Sequence, residues 1–257
     1  MPSVFITGAS SGLGEALARH YAAHGARVGL VARRGEALQT LAAQLPAGVA
    51  TCYALDVRDR AALHAAAQDF LARCGGSVDA VIASAGVSAG TLTAHAEDFD
   101  VFTEIVQTNL LAMVATFEPF IAAMRAARAG RLVGISSVAG VRGLPGAGAY
   151  SASKAAVTTY CESLRNELAG DGIRVITIAP GYIRTPMTRR NPYSMPFLLD
   201  ADEFARRAAR VIESGHGYRV IPWQMGVVAK LMALLPNAVY DRCARGAPRK
   251  PRRNEAA

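Results

Sequence analysis

Short apolar runs alternate with stretches of helical spacing along most of the chain. Runs such as SVFITG (3–8), ARVGLVAR (26–33) and VDAVIASAG (78–86) are continuously apolar rather than alternating. Such runs are typical of strands in a parallel sheet that is buried on both faces. Between them, stretches such as GLGEALARHYAAHG (12–25) place apolar side chains on one face of a helix. The alternation predicts an α/β fold: a doubly wound parallel sheet of about seven strands with helices on both faces.

The pattern continues without a break in composition, so residues 1–240 are expected to form a single domain. One long helical stretch (98–127) contains Pro119, which is expected to kink or break it. After Gly181 the pattern loosens, and three prolines among scattered apolar residues predict a lid over about 186–215. Residues 241–257 are rich in arginine and are expected to form a disordered tail.

Length and composition restrict the class of protein. The chain has 257 residues, of which 51% are hydrophobic, enough for a sizeable core. The N-terminus lacks the features of a secretory signal, and no stretch of about 18 uncharged apolar residues predicts a spanning helix. The four cysteines are far apart and form no CxxC pair, which indicates reduced thiols, and the single histidines His95 and His216 have no metal-ligand spacing. We therefore expect a cytoplasmic protein without a metal site.

Positive charge is concentrated at the C-terminus. The formal net charge is +8, and six basic residues against one acidic residue from Arg242 onwards supply +5 of it. Without aromatic interleaving or a recognised motif, this tail does not indicate a nucleic-acid partner. An apolar helix near 224–235, followed by the tail, also fits peripheral contact with an anionic membrane. The favoured interpretation is instead that this helix covers the pocket or a subunit interface.

A glycine-rich turn separates the first strand from the first helix. The segment TGASSGLG (7–14) offers Gly8, Ser10, Ser11, Gly12, Leu13 and Gly14 as candidate binding residues. Glycines at this position let the backbone approach a pyrophosphate, and the helix N-terminus offers free N–H groups. The segment therefore predicts a dinucleotide site in a Rossmann-type fold, the alternative being a tight turn without a ligand.

The end of the second strand indicates which dinucleotide binds. An acidic residue there would bind the ribose hydroxyls of NAD, but this chain has Arg33 and Arg34. A guanidinium can pair with the 2′-phosphate of NADP, so NADP(H) is the first choice and NAD the second. The alternative is that both arginines are solvated surface residues. Asp56, followed by Val57 at the end of the third strand, is placed to meet the adenine or to cap the next helix.

Tyr150 and Lys154 lie four residues apart on a predicted helix, so their side chains share a face. A tyrosine phenol has an ordinary pKa near 10, and a nearby ammonium is expected to lower that pKa and allow proton transfer at neutral pH. Ser137 ends the fifth strand, where its hydroxyl can bind a carbonyl oxygen, with Ser136 as the alternative.

Together these segments resemble the short-chain dehydrogenase/reductase family. The matching motifs are TGASSGLG from Thr7, ISSVAG from Ile135, YSASK from Tyr150, PGYIRTPM from Pro180, and Asn109 in VQTNLLA. One departure is SAG (84–86), where the family often has Asn-Ala-Gly. The resemblance implies that Ser137 polarises the carbonyl, Tyr150 is the acid/base, Lys154 binds the nicotinamide ribose, and Asn109 supports a water-linked proton relay. It also adds to the cofactor-binding set Ala85, Gly86, Pro180, Gly181, Ile183 and Thr185.

The resulting prediction is hydride transfer between NADP(H) and a carbonyl or secondary alcohol. Apolar lid residues between Met187 and Leu199, with Trp223 and Met225 from the C-terminal segment, predict a hydrophobic small-molecule substrate, although apolar lid residues also serve to pack a loop on the core. The alternative function is a non-catalytic dinucleotide-binding regulator or scaffold, which would have no need for the Tyr–Lys pair. The resemblance implies a homodimer or homotetramer built on two long helices, at about 98–127 and 150–168.

Overall fold

The computed structural model describes residues 1–189, 191, 193–246 and 248–253. Its strands are β1 Ser3–Thr7, β2 Arg27–Ala32, β3 Ala50–Ala54, β4 Ala80–Ala83, β5 Gly130–Ile135, β6 Ile173–Pro180, β7 Ile183–Arg184, β8 Leu199–Asp200 and β9 Tyr218–Ile221. Seven of them form one parallel sheet in the order β3-β2-β1-β4-β5-β6-β9, and β7 pairs with β8 separately.

The α-helices connect these strands. They are α1 Gly12–Ala23, α2 Gly35–Ala43, α3 Arg60–Arg73, α4 Asp98–Val106, α5 Ala112–Ala127, α6 Gly148–Glu167, α7 Ala201–Ser214, α8 Trp223–Leu234 and α9 Asn237–Ala244. A π-helical turn, Gln107–Leu111, joins α4 to α5.

Two apolar layers cover the sheet, one on each face. On one face α1, α2 and α7 contribute Leu17, Leu38 and Phe204. On the other face α3, α5 and α6 contribute side chains such as Phe70 and Phe117. All five are almost fully buried, so apolar side chains pack on both sides of strands whose own residues are apolar. The predicted doubly wound α/β fold is confirmed.

The long stretch 98–127 is interrupted at a different place from the one expected. Pro119 lies inside α5 without ending it, and the change of helix type comes earlier, at the π turn. By length and composition alone, Asp98–Ala127 has the character of a membrane span, with a mean hydropathy of 1.5, which the sequence analysis did not expect. Its residues Phe117 and Phe120 are fully buried in the core of the domain, which explains the apolar composition.

The lid and the tail also differ from expectation. Within the predicted lid, α7 is a core helix that packs against α1 through Phe204 and Ala208, and the described residues before β8 (186–189, 191 and 193–198) form a loop. The predicted disordered tail begins inside α9, and residues 248–253 dock on the domain through Arg252, which is 8% exposed. Acidic partners on α4 explain the docking, because they neutralise the charge of Arg252. From its sequence, this part of the tail is instead expected to be disordered.

Candidate active site

A cleft with a volume of about 330 Å³ opens at the carboxyl ends of the parallel strands. This is the edge where ligands bind in doubly wound sheets. Ser137 lines this cleft. All the residues predicted to bind the cofactor line it too, and they are Gly8, Ser10, Ser11, Gly12, Leu13, Gly14, Arg33, Arg34, Asp56, Val57, Ala85, Gly86, Tyr150, Lys154, Pro180, Gly181, Ile183 and Thr185. The fold thus brings segments from six strand ends into one site.

The glycine turn forms one end of this cleft. Gly8 and Gly12 have φ angles of +72° and +60°, a region that other residues adopt only at a cost. A side chain at Gly8 would also lie 2.8 Å from the backbone of Ala85. The Ser11 side chain makes no capping hydrogen bond to α1, which leaves the first N–H groups of this helix available for an anion.

The two arginines after β2 lie beside this turn. Both are exposed and line the cleft, and the Arg34 guanidinium donates to the carbonyl oxygen and the hydroxyl of Ser10, both at 3.1 Å. Asp56 lines the same end and pairs with Arg58, whose hydrogen bonds lower the pKa of the Asp56 carboxyl. The cap of α3 is Asp59, which accepts from the backbone of Ala62, so Asp56 does not cap this helix.

Tyr150, Lys154 and Ser137 meet at the other end. The Lys154 ammonium is buried, donates to the carbonyl oxygen of Ile135 at 2.8 Å and lies 5.8 Å from the centre of the Tyr150 ring. The Ser137 hydroxyl accepts from the backbone of Ala139 at 3.1 Å. Ser136 instead donates to the carbonyl oxygen of Lys154 at 2.8 Å, which makes it a structural contact and favours Ser137 as the carbonyl-binding residue.

The expected lowering of the phenol pKa is not found. Burial raises the pKa of Tyr150, and the Ser137 hydroxyl acts in the opposite direction without reversing the shift. Burial also lowers the pKa of Lys154 to about 8. Both groups lose water, and because desolvation disfavours every charged form, burial is the largest cause of both shifts.

Asn109 does not line the cleft but lies directly behind it, in the π turn. Its amide group donates to the carbonyl oxygen of Val87 at 3.1 Å and to the hydroxyl of Ser153 at 3.0 Å, while its Oδ1 accepts from the Val87 N–H at 2.8 Å. Asn109 therefore fixes the backbone that follows β4. The π turn widens the helix locally, a geometry often found at functional sites.

Several cleft residues were missed by the sequence analysis of cofactor binding. They are Ala32, Leu55, Ser84, Val87, Thr108, Ile135, Ser136, Pro186, Met187 and Thr188. Most adjoin a predicted residue and could have been found by extending each motif by one position. Thr188 had no such signal: its hydroxyl donates to the Ile183 carbonyl oxygen at 2.6 Å and shapes the turn around Thr185.

Apolar side chains surround the end of the cleft where Ser137, Tyr150 and Lys154 meet, which is called the catalytic end below. The rings of Tyr182 and Tyr193 are 6.3 Å apart, and Met225 packs with Val138 just after Ser137. Trp223, by contrast, is 68% exposed at the start of α8. Of the candidates for an apolar substrate wall, Met187 lines the cleft and Met225 lies behind it.

The sheet is of the Rossmann type, with a glycine turn at one end of its cleft and a Ser–Tyr–Lys group at the other end. This combination defines a class of dinucleotide-binding oxidoreductases. The family model described as short chain dehydrogenase matches residues 2–194. The chain belongs to this family, and it is an oxidoreductase acting on alcohol or carbonyl groups.

Individual relatives agree with this assignment. The chain is 38% identical over 245 residues to an uncharacterized oxidoreductase of Myxococcus xanthus, covering 95% of this chain and 96% of the relative. It is similar to a short-chain dehydrogenase from Streptomyces avermitilis, with a TM-score of 0.79, 28% identity and coverage of 95% and 98%. A 3-ketoacyl-(acyl-carrier-protein) reductase from Brucella melitensis complexed with NADH gives a TM-score of 0.78 at 26% identity, with coverage of 86% and 96%.

Proposed function

We propose that the protein transfers a hydride between NADP(H) and the carbonyl or secondary alcohol carbon of a hydrophobic small-molecule substrate. The observation that carries this proposal is the meeting of Ser137, Tyr150 and Lys154 at one end of a cleft whose other end is the glycine turn. When bound, the dinucleotide supplies the hydride-transfer chemistry.

Each of the three side chains has a role that its contacts support. The Ser137 oxygen accepts from Ala139, and its O–H, which bonds to the Tyr150 phenol, can donate to a substrate oxygen placed beside that phenol. Tyr150 passes the proton to or from that oxygen. Lys154 is fixed by Ile135 and offers its remaining N–H groups to ribose hydroxyls, while Asn109 holds the neighbouring backbone and supports a proton relay.

The preference for NADP(H) rests on the two arginines. Arg33 and Arg34 line the adenosine end of the cleft without a carboxylate at the end of β2 that would repel a 2′-phosphate. NAD(H) is the second choice, since the reductase from Brucella melitensis was obtained with NADH.

The reaction is tested with a panel of aliphatic, aromatic and acyl-chain ketones and NADPH or NADH. We expect turnover with at least one ketone, and we expect Tyr150→Phe to lose about 10²–10⁴-fold in kcat with NADPH affinity unchanged, because only the proton donor is removed. Full turnover by Tyr150→Phe, or failure of every ketone with a protein that binds NADPH tightly, would favour a non-catalytic dinucleotide-binding protein.

The cofactor preference is tested by titrating NADPH and NADH into Arg33→Ala, Arg34→Ala and the control Arg60→Ala, whose side chain pairs with Glu118 outside the cleft. Loss of a charge-assisted hydrogen bond predicts that one of the first two variants binds NADPH about ten-fold more weakly or worse, with NADH affinity unchanged. Equal affinity of the natural protein for both dinucleotides would contradict the preference.

We also propose that the protein is cytoplasmic and forms a homodimer or homotetramer. Free thiols at Cys52, Cys74, Cys161 and Cys243 support the compartment. Exposed Phe99 and Leu111 on the long helical stretch support an interface there, because large apolar side chains at a surface favour a partner. Light scattering of Leu111→Glu at micromolar concentration tests the oligomer, which should dissociate.

A further inference from the structure

The C-terminal residues 248–253, called the strap below, lie across two loops beside the catalytic end. The backbone of Gly90 donates to the Pro251 carbonyl oxygen at 3.0 Å, and a side chain at Gly90 would lie 2.8 Å from that oxygen. Arg249 packs on Gly146, four residues before Tyr150. The backbone N–H of Thr91 donates to the Gly146 carbonyl oxygen at 2.9 Å. The two loops that the strap covers are therefore hydrogen-bonded to each other.

Ion pairs give the strap a defined position. Arg252 donates to both carboxylate oxygens of Asp98, at 2.8 and 3.0 Å, and to Glu97 at 2.8 Å. Arg253 donates to Glu104 at 2.6 Å. Because a bidentate pair fixes distance and orientation, these contacts hold the strap in one register on α4.

Lys250 differs from these two arginines. Its ammonium is partly buried and donates to the hydroxyl of Ser88 at 3.0 Å. Among the described residues, no carboxylate forms an ion pair with it, and burial lowers its pKa. Holding an ammonium away from water without an anion costs free energy, which a bound anion would offset.

The position of Ser88 connects Lys250 to the cleft. Val87, the residue before Ser88, lines the cleft, and Asn109 forms hydrogen bonds with both the N–H and the carbonyl oxygen of Val87. A side chain at Gly86 would lie 3.6 Å from the Lys154 ammonium. The three-residue segment 86–88 therefore runs from the ammonium at the catalytic end to the ammonium of the strap.

The charges along the cleft favour an anion at this end. Among the described lining residues the carboxylate is that of Asp56, which lies at the dinucleotide end and pairs with Arg58. Lys154 lines the catalytic end, and Lys250 contacts Ser88, the residue after the lining residue Val87. A region with cations and no lining carboxylate attracts negative charge.

We propose that Lys250 is a specificity-determining residue that binds the anionic end of an amphipathic substrate, a carbonyl compound with an apolar chain and a carboxylate. This inference rests on the proposed function, since it takes the cleft as the substrate site. Apolar Met187 in the cleft wall and Tyr193 near the catalytic end fit the chain of such a molecule, and Lys250 fits its charge.

The test measures binding of decanoate and of 1-decanol to the full-length protein by calorimetry, in saturating NADPH, which can reduce neither probe. The two probes share a chain and differ in charge. The proteins are the natural chain, Lys250→Met, Lys250→Arg and the control Lys230→Met, which removes an exposed lysine of α8. We expect decanoate to bind the natural chain about ten-fold more tightly than decanol, the ratio set by one charge-assisted hydrogen bond.

The variants then decide the role of Lys250. Lys250→Met should lose the preference for decanoate with decanol binding unchanged, Lys250→Arg should keep most of it, and Lys230→Met should match the natural chain. Equal affinities in the natural chain, or an equal loss of both probes in Lys250→Met, would overturn the proposal; the second result would make Lys250 a structural contact of the strap. Because binding is measured without turnover, failure of this proposal is distinguishable from failure of the ketone assay.

Discussion

The two ends of the cleft are built in different ways. The dinucleotide end consists of the glycine turn, the start of α1 and the ends of three neighbouring strands, all within the first 60 residues. The substrate end is formed by loops and by a strap that is far away in sequence, and hydrogen bonds and ion pairs hold it together. From this contrast we propose that backbone shape determines cofactor binding, whereas a few charged and apolar side chains select the substrate.

The largest effect on NADPH affinity should come from changing backbone shape at the dinucleotide end. Gly8→Ala places a methyl group 2.8 Å from the Ala85 backbone, at a φ of +72°. We expect NADPH affinity to fall about ten-fold or more, because the turn must move away from the pyrophosphate to relieve a clash of at least ~1.4 kcal/mol. Fluorescence titration with NADPH measures the change.

Gly25→Ala is the matched control for this variant. Gly25 has a φ of +78° but has no neighbour within 4 Å of an added methyl group. Both variants pay the cost of a left-handed alanine, about 1–2 kcal/mol, and only Gly8→Ala should also lose NADPH affinity. Equal affinities of the two variants would show that the close approach at Gly8 has no part in binding.

An intermediate effect is expected at the strap. Hydrogen bonds from Arg252 and the backbone of Leu92 lower the pKa of the Asp98 carboxyl. Because the pKa of Asp98 is lowered, its ionised carboxylate stabilises the docked strap at pH values above the ordinary aspartate pKa of about 3.9. This stabilisation is lost as the pH falls through the lower pKa that Asp98 has in the folded chain. Asp98→Asn should reproduce the loss at pH 7, seen as faster hydrogen exchange of the amides in 248–253.

Glu104→Gln serves as the control, because its partner Arg253 is largely exposed and such pairs contribute little. Exchange in the strap should change less in this variant than in Asp98→Asn. If Asp98→Asn leaves the exchange rates unchanged, the Arg252 ion pair does not hold the strap, and the contrast between the two ends is weaker than described.

The smallest effect concerns the stability of the catalytic end. Burial lowers the pKa of Lys154 from 10.5 to about 8, so the unfolded chain binds more protons between these values and stability rises with pH there. Relative to Lys154→Met, the natural chain should therefore gain thermal stability between pH 8 and 10.5. A difference in Tm between the two proteins that stays constant over this range would contradict the shift.

The sequence was sufficient to predict the sheet and the dinucleotide end. Continuous apolar runs and the glycines at 8, 12 and 14 are local signals, and their outcome depends on backbone geometry within a few residues. The grouping of Ser137, Tyr150 and Lys154 could also be predicted, since a strand end and a helix start define their positions. The roles of these residues in turnover stay predictions until they are measured.

The parts that the sequence did not predict depend on contacts between distant residues. The position of the strap is set by Asp98 and Arg252, which are 154 residues apart. The pKa of Tyr150 depends on how deeply the folded chain buries it, so the neighbouring lysine alone did not give the direction of the shift. The break in the helix at 107–111, rather than at Pro119, follows from packing around Asn109.

Transfer of deuterium from NADPH labelled at C4 of the nicotinamide to a ketone, followed by mass spectrometry of the alcohol, tests the central claim most directly. The claim is that Tyr150 and the nicotinamide meet at the catalytic end of the cleft. We predict labelled alcohol from one face of the nicotinamide with the natural chain, and about 10²–10⁴-fold slower labelling with Tyr150→Phe that still binds NADPH. Undiminished labelling by Tyr150→Phe, or no labelled alcohol from any ketone with the natural chain, would contradict it.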